Sequence, residues 1–179
     1  MKYFLLILAF VASSAFAQTN HMIEMSTTSA TLGALSFTDH GSRTDKSLYF
    51  SGNYAYKISE RVQLAVQGNY SHFDSNFSNT ESYGLNLGAI YNLDDDFTNA
   101  PYVSLYGGMN WFHSYGHGNG STEAWNGRAA FGKRFSLSNI NLPNVTYSPE
   151  ISYTRSEYTS GGYGSNTVSI RFLQFSAFF

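Results

Sequence analysis

Residues 48–71 read LYFSGNYAYKISERVQLAVQGNYS, two alternating runs laid about one tight turn. Leu48, Phe50, Gly52, Tyr54, Tyr56 and Ile58 share one side of an extended chain, and Tyr49, Ser51, Asn53, Ala55 and Lys57 share the other. After Ser59-Glu60-Arg61 the pattern resumes, with Val62, Leu64, Val66, Gly68 and Tyr70 set against Gln63, Ala65, Gln67, Asn69 and Ser71. A period of two on both sides of a short polar turn predicts a β-hairpin. One face is apolar and aromatic; the other is small or polar.

The same division continues along the chain. Tyr83, Leu85, Leu87, Ala89 and Tyr91 oppose Gly84, Asn86, Gly88 and Asn92. Val103, Leu105, Gly107, Met109 and Trp111 oppose Ser104, Tyr106, Gly108 and Asn110. Trp125, Gly127, Ala129, Phe131 and Phe135 oppose Asn126, Arg128, Ala130, Gly132 and Arg134, and then Val145, Tyr147, Ile151 and Tyr153 oppose Thr146, Ser148, Glu150, Ser152 and Thr154. The last run changes parity: Val168, Ile170 and Phe172 lead into Leu173, Phe175, Ala177 and Phe179, so a bulge near Phe172-Leu173 is expected, one extra residue restoring the face. Residues 22–37 read as a further strand whose faces are undeclared. The prediction is an all-β chain with eight antiparallel up-and-down strands of about ten residues, the length that crosses a bilayer when tilted.

Composition agrees. Of 179 residues 42% are hydrophobic and 17% aromatic but only 12% charged, against a usual charged share of about 25%. A formal charge of -2 gives no electrostatic case for a nucleic-acid partner, and the absence of cysteine removes disulfides, thiolate metal sites and thiol nucleophiles. Lys2, the apolar stretch 4–11 and Ala15-Phe16-Ala17 match a cleaved signal peptide over 1–17, leaving 18–179 as one barrel domain. A lipocalin-like soluble barrel also alternates, but it hides its apolar face inside. Here the polar face suits a filled narrow lumen. Aromatics gather at the strand ends, with Tyr70, Trp111, Trp125 and Tyr153 toward one rim and Tyr56, Tyr91, Phe135 and Tyr147 toward the other, as in the belts at membrane interfaces.

With these strands, the leader and the ending Phe175-Ser176-Ala177-Phe178-Phe179, the chain resembles the small outer-membrane barrels of the OmpA, OmpX and OmpW kind. The resemblance implies a monomer in the outer membrane of a Gram-negative bacterium, in contact with lipid and lipopolysaccharide. It also implies that Leu173, Phe175, Phe178 and Phe179 form the signal read by the barrel-assembly machinery. The peptidoglycan-binding domain of the OmpA type does not carry over, because no sequence for it follows the last strand. Both chain ends are expected in the periplasm with turns 59–61, 94–101 and 136–144; loops 38–47, 73–81, 113–123 and 159–165 face outward.

Eight strands leave an interior just wide enough for side chains. Lys57, Arg128, Arg134, Glu150 and Arg171, together with Gln174, are predicted to form one inward polar cluster in which Glu150 neutralises the arginines. Centring the turn near residue 140 places Arg128 opposite Ser152, and centring the last loop near 162 places Gln174 opposite Glu150. The expected role is structural or in surface interaction. The alternatives are a narrow porin-like channel lined by those charges, and a lipid A-modifying enzyme. For the latter no histidine, serine and acid converge in the sequence: His113-Ser114 reads as loop, and Ser71, His72 and Asp74 are merely neighbours. No catalytic residue, metal or cofactor is therefore expected. His40, His72, His113 and His117 read as solvated loop histidines, Asp94-Asp95-Asp96 as a solvated turn, and the sequons at Asn76 and Asn119 as incidental.

Overall fold

The alternation seen in 48–71 governs nearly every residue of the computed structural model, which describes residues 20–33, 44–74, 78–116, 120–159 and 164–179. The leader, His40, His117 and both sequon asparagines lie outside those residues. The described chain forms strands β1 (His21–Gly33), β2 (Thr44–Lys57), β3 (Val62–Asp74), β4 (Ser78–Asn92), β5 (Pro101–Gly116), β6 (Gly120–Lys133), β7 (Phe135–Leu137), β8 (Leu142–Tyr147), β9 (Glu150–Tyr158), β10 (Gly164–Arg171) and β11 (Gln174–Phe178). All join one antiparallel sheet in the order β10-β9-β6-β5-β4-β3-β2-β1-β11-β8-β7. β10 and β11 are consecutive in the chain yet widely separated in that order. The sheet must therefore curl, with the chain at Phe172-Leu173 linking its β10 edge to the strand beside β1.

Eleven segments replace the eight expected strands, because three runs are interrupted. Arg134 leaves the ladder to donate its backbone N–H to Ala100 O at 3.0 Å. Ser148-Pro149 parts β8 from β9 at a proline that has no N–H for a ladder. Phe172-Leu173 parts β10 from β11, and both side chains are exposed, as the parity change in the sequence implies. Single hydrogen bonds span two of the breaks, Lys133 N–H to Pro149 O at 3.2 Å and Ser148 N–H to Gln174 O at 2.8 Å.

Burial is inverted relative to a water-soluble domain. Leu64, Leu85, Leu87, Leu105 and Phe131 are exposed, Leu87 to 64% and Leu105 to 66%, whereas Gln63, Gln67, Asn86, Asn126, Arg128 and Glu150 are buried. The undeclared first strand turns Met22, Glu24 and Ser26 inward. Val145 departs from the expected facing and is buried beside Thr146, where β8 lies between β7 and β11.

The ladders also run farther than expected at one end. β3 reaches Asp74, β4 starts at Ser78, and His113 pairs with Ser121 in the β5–β6 ladder. Loops 73–81 and 113–123 are accordingly shorter. His72 and His113 lie on strands, each opposite Glu81, because cross-strand pairing satisfies backbone groups that a loop would leave to water. The other end carries the turns at 58–61, 93–100 and 138–141, together with residues 20 and 179.

Candidate functional site

The concave side of the curled sheet holds almost every buried polar group, and its two halves differ. At the turn end, Asp94 and Asp96 accept the backbone N–H groups of Asp96 and Thr98, at 3.4 and 3.2 Å. Such side-chain turns direct the chain locally, and here the turn carries Phe97 inward, where it is buried. Its ring meets Phe178 with centroids 5.3 Å apart, and Lys57 Nζ stands 4.4 Å from its centre.

Arg134 fills the space behind Phe97 and is fully buried. It donates to Asn92 Oδ1, to Phe97 O at 3.2 Å and to Gln63 Oε1 at 3.3 Å, and also touches Met22 Sδ at 3.3 Å. Its guanidinium lies over the rings of Tyr102 at 4.5 Å and Phe178 at 5.5 Å. These groups derive from β1, β3, β4, β5, β11 and the 93–100 turn. Together they stopper the turn end.

Two tyrosines carry the network across the interior. Tyr102 donates to Glu150 Oε2 at 3.3 Å and accepts from Gln174 Nε2 at 3.0 Å. Tyr106 accepts from Asn53 Nδ2 at 2.8 Å, and Asn53 also reaches Glu24 Oε1 at 3.4 Å. Ser176 donates to the other Glu24 oxygen at 2.8 Å. Each tyrosine pairs with a glycine of the next strand, Tyr102 with Gly132 and Tyr106 with Gly88. A Cβ on Gly132 would lie 2.6 Å from the Tyr102 ring, and one on Gly88 would lie 2.4 Å from Tyr106. The rings lie down over the glycines, as an aromatic over a bare strand position is able to do.

Beyond Tyr102, toward the loop end, Glu150 Oε1 accepts from Arg128 Nη2 and lies 3.3 Å from Arg171 Nη1. Arg171 Nη2 also donates to Tyr49 Oη at 2.6 Å. Above this group is a cavity of about 340 Å³ lined by Arg128, Arg171, Asn69, Asn86, Asn126 and Thr154, among others. Asn69 spans toward Asn110 at 3.4 Å and accepts from Asn86 at 3.2 Å. Arg128 Nε, Asn126 Nδ2 and Asn86 Oδ1 are buried here without a protein partner.

The six inward residues expected to form one cluster divide in two. Arg128, Glu150 and Arg171 meet, and Gln174 joins through Tyr102. Arg134 sits with neutral partners, and half-buried Lys57 lies over Phe97, away from Glu150. The pairing register explains this. Arg128 faces Thr154, not Ser152, and Glu150 faces Gly132 on one side and Arg171, not Gln174, on the other. The connections are centred a residue or so from the expected positions, which shifts the partners along the strands. Arg128 then reaches Glu150 diagonally, past Ala130 and Gly132.

The terminal aromatics also divide. Leu173 is exposed, Phe175 packs on Tyr147 with centroids 5.7 Å apart, and Phe178 is buried in the stopper. Phe179 stacks on His21 at 5.6 Å and exchanges both backbone hydrogen bonds with it, at 2.9 and 3.0 Å. Glu24, Asn53, Gln63, Asn92, Phe97, Tyr102 and Tyr106 were not singled out in the sequence. A legible signal existed for two: an aromatic at inward parity with glycine at inward parity nearby.

At the turn-end surface, outside the strands, Arg61 Nε donates to Asp95 Oδ1 at 2.7 Å. This guanidinium holds the Asp95 carboxyl below its ordinary titration range.

No protein-family model and no curated protein matches the sequence. Solved structures do match in fold. The chain is similar to Neisserial surface protein A, at 14% identity and a TM-score of 0.55 over 89% of this chain and 95% of that one. It is also similar to the N-terminal β-barrel domain of Pseudomonas aeruginosa OprF, at 15% identity and a TM-score of 0.50 over 90% and 98%. At such identities the likeness is one of architecture alone: an antiparallel, curled, all-β sheet like those of these two structures.

Proposed function

We propose that this chain is an integral barrel of the Gram-negative outer membrane whose role is structural or in surface interaction rather than conduction. In this reading β6 with β7, β8 with β9 and β10 with β11 each make one crossing, so that eight strands span the bilayer. Residues 1–17 direct export and are removed, and the assembly machinery reads the aromatic end. The observation that carries the membrane assignment is the inverted burial. Leucines and phenylalanines exposed on each strand from β2 to β6 would form a large apolar surface in water, whereas lipid covers them and leaves the polar groups to the interior. The stopper around Arg134 and Phe97 favours the structural role over a pore, since it closes one mouth with groups from most of the wall. No enzymatic activity is assigned.

Leu87→Arg tests the membrane assignment against its neighbour Asn86→Ala. Leu87 points out and Asn86 points in. The arginine is expected to cost about 2 to 4 kcal/mol of folding free energy in lipid vesicles, the range for a basic residue at the bilayer midplane, and Asn86→Ala far less. Equal losses would overturn the assigned facing, and recovery of the wild-type chain in a soluble cell fraction would overturn the location. Single-channel recording tests the role: the wild-type chain is expected to give no steady conductance, and ohmic steps would restore the channel reading.

A further inference from the structure

We infer that the cavity in the loop half of the interior binds an oxyanion, a phosphate or carboxylate group, between Arg128, Arg171 and Asn126. The inference needs only the interior geometry and stands apart from the membrane assignment. Among the described residues, the buried ionisable side chains Arg128, Arg134 and Arg171 face only two buried acids, Glu24 and Glu150. Glu24 spends its hydrogen bonds on the neutral Asn53 and Ser176 and forms no ion pair with either arginine of the cavity. Glu150 alone is shared by two guanidiniums, through one oxygen, while its other oxygen is taken by Tyr102. One carboxylate cannot neutralise two guanidiniums, and a buried excess charge calls for a counter-ion.

The hydrogen-bond inventory points the same way. Arg128 is 7% exposed and Asn126 is 8% exposed, yet Arg128 Nε and Asn126 Nδ2 are buried donors with no protein acceptor. Both residues line the cavity of about 340 Å³ together with Arg171, so two guanidiniums and an amide border the same space. A guanidinium with unspent donors is the group best matched to a phosphate or carboxylate. Asn86 Oδ1, the unpartnered acceptor of the same cavity, suits the protonated oxygen of a hydrogen phosphate. The volume is at the low end for ligand sites, of order 300 to 1,000 Å³, so the guest is small or only its head enters.

Two sources have this chemistry. A free anion can enter from the loop end. A lipid phosphate can enter from the side, because among the described residues β1 beyond Ser26 pairs only with β2 and β10 pairs only with β9, and Ile170 of β10 lines the cavity.

The test uses the full chain, refolded in a phosphate-free alkyl maltoside and titrated with inorganic phosphate or succinate at constant ionic strength. The Arg128 Nε–H and Asn126 side-chain amide are followed by NMR. Saturable shifts at both are expected. Asn126→Leu, which removes one donor and no charge, is expected to weaken binding about tenfold, as for a lost hydrogen bond to an ion. Glu150→Gln, which frees both guanidiniums from their internal partner, is expected to bind more tightly and to gain more thermal stability from added phosphate than wild type gains. If Glu150→Gln does not fold, Asn126→Leu still decides the matter. Shifts that do not saturate, shifts that chloride reproduces equally, or unchanged affinity in Asn126→Leu would each overturn the inference. In phosphatidylglycerol nanodiscs without added phosphate, an Arg128 signal already at its saturated position identifies lipid phosphate as the source, and one that still titrates identifies a free anion. Either result upholds the site.

Discussion

The two halves of the interior are built from the same polar alphabet and reach different states. At the turn end, Arg134 has four neighbours within reach and two aromatic rings on its guanidinium, and Phe97 and Phe178 close the remaining space. At the loop end, Arg128 and Arg171 share one carboxylate beneath a cavity, and donors are left over. The difference does not come from residue type, since both halves use arginine, asparagine and glutamine. It comes from what fills the space between them. A turn that folds inward supplies a backbone carbonyl and an aromatic ring to the first half. Within the described residues nothing comparable enters the second. Polar burial therefore yields a packed stopper where volume is filled and an open chamber where it is not.

The contrast breaks most decisively at Arg134. Arg134→Ala removes a large, fully buried side chain and strips Asn92, Gln63 and Phe97 O of their donor, so a loss of about 3 to 5 kcal/mol is expected from cavity and unpaired acceptors together. Asn126→Ala, in the open half, is expected to cost less than about 1 kcal/mol, because its Nδ2 has no protein acceptor to lose. Urea unfolding of both variants checks this, and equal losses would erase the distinction between the halves. Arg134→Ala is also expected to open the stoppered mouth, giving conductance where the parent has none.

Glu150→Ala sits between the two. It leaves Arg128 and Arg171 without their shared partner, a change that costs about 3 to 5 kcal/mol at a dry site. The adjoining cavity admits water, so a loss of about half that is expected, shrinking further as salt is added. A salt-independent loss at the dry value would mean that the chamber is as closed as the stopper.

Deletion of Phe178 and Phe179 is expected to reduce both assembly in cells and folding in detergent. Phe178 belongs to the stopper, and Phe179 pins the chain end to His21. Normal folding of the truncated chain in detergent would confine their role to recognition by the assembly machinery.

The smallest effect lies outside the wall. Asp95 has its carboxyl pKa depressed by Arg61, so the contribution of the pair is present above the ordinary carboxylate range and lost as pH falls through the depressed value. NMR titration is expected to place Asp95 below that range and Arg61→Gln to return it. Because the pair is exposed, global stability should barely change; a marked change would tie the outer turns to the stopper.

The strand character, the facing of nearly every residue from 48 onward except Val145, the change of parity at Phe172-Leu173 and the inward setting of Arg128, Arg134, Glu150, Arg171 and Gln174 were legible in the sequence. All follow from a period of two, and that period is local. Pairing register was not. A shift of a residue or two at a connection leaves every face unchanged while moving each partner along the strand, so the alternation is silent about whether Glu150 meets Gln174 or Arg171. The first strand was equally opaque, since Glu24 between Met22 and Ser26 gives no clear division until β11 closes against it. The strand count differs for a related reason: the breaks at Arg134 and Ser148-Pro149 express where backbone hydrogen bonds go, to Ala100 and to Gln174, and those partners are distant in the chain. Phe97 shows the limit most plainly. In sequence it is an aromatic in an acidic turn; only the curl of the sheet creates the space that it, Phe178 and Arg134 fill, and only that filling separates a stoppered half from an open one.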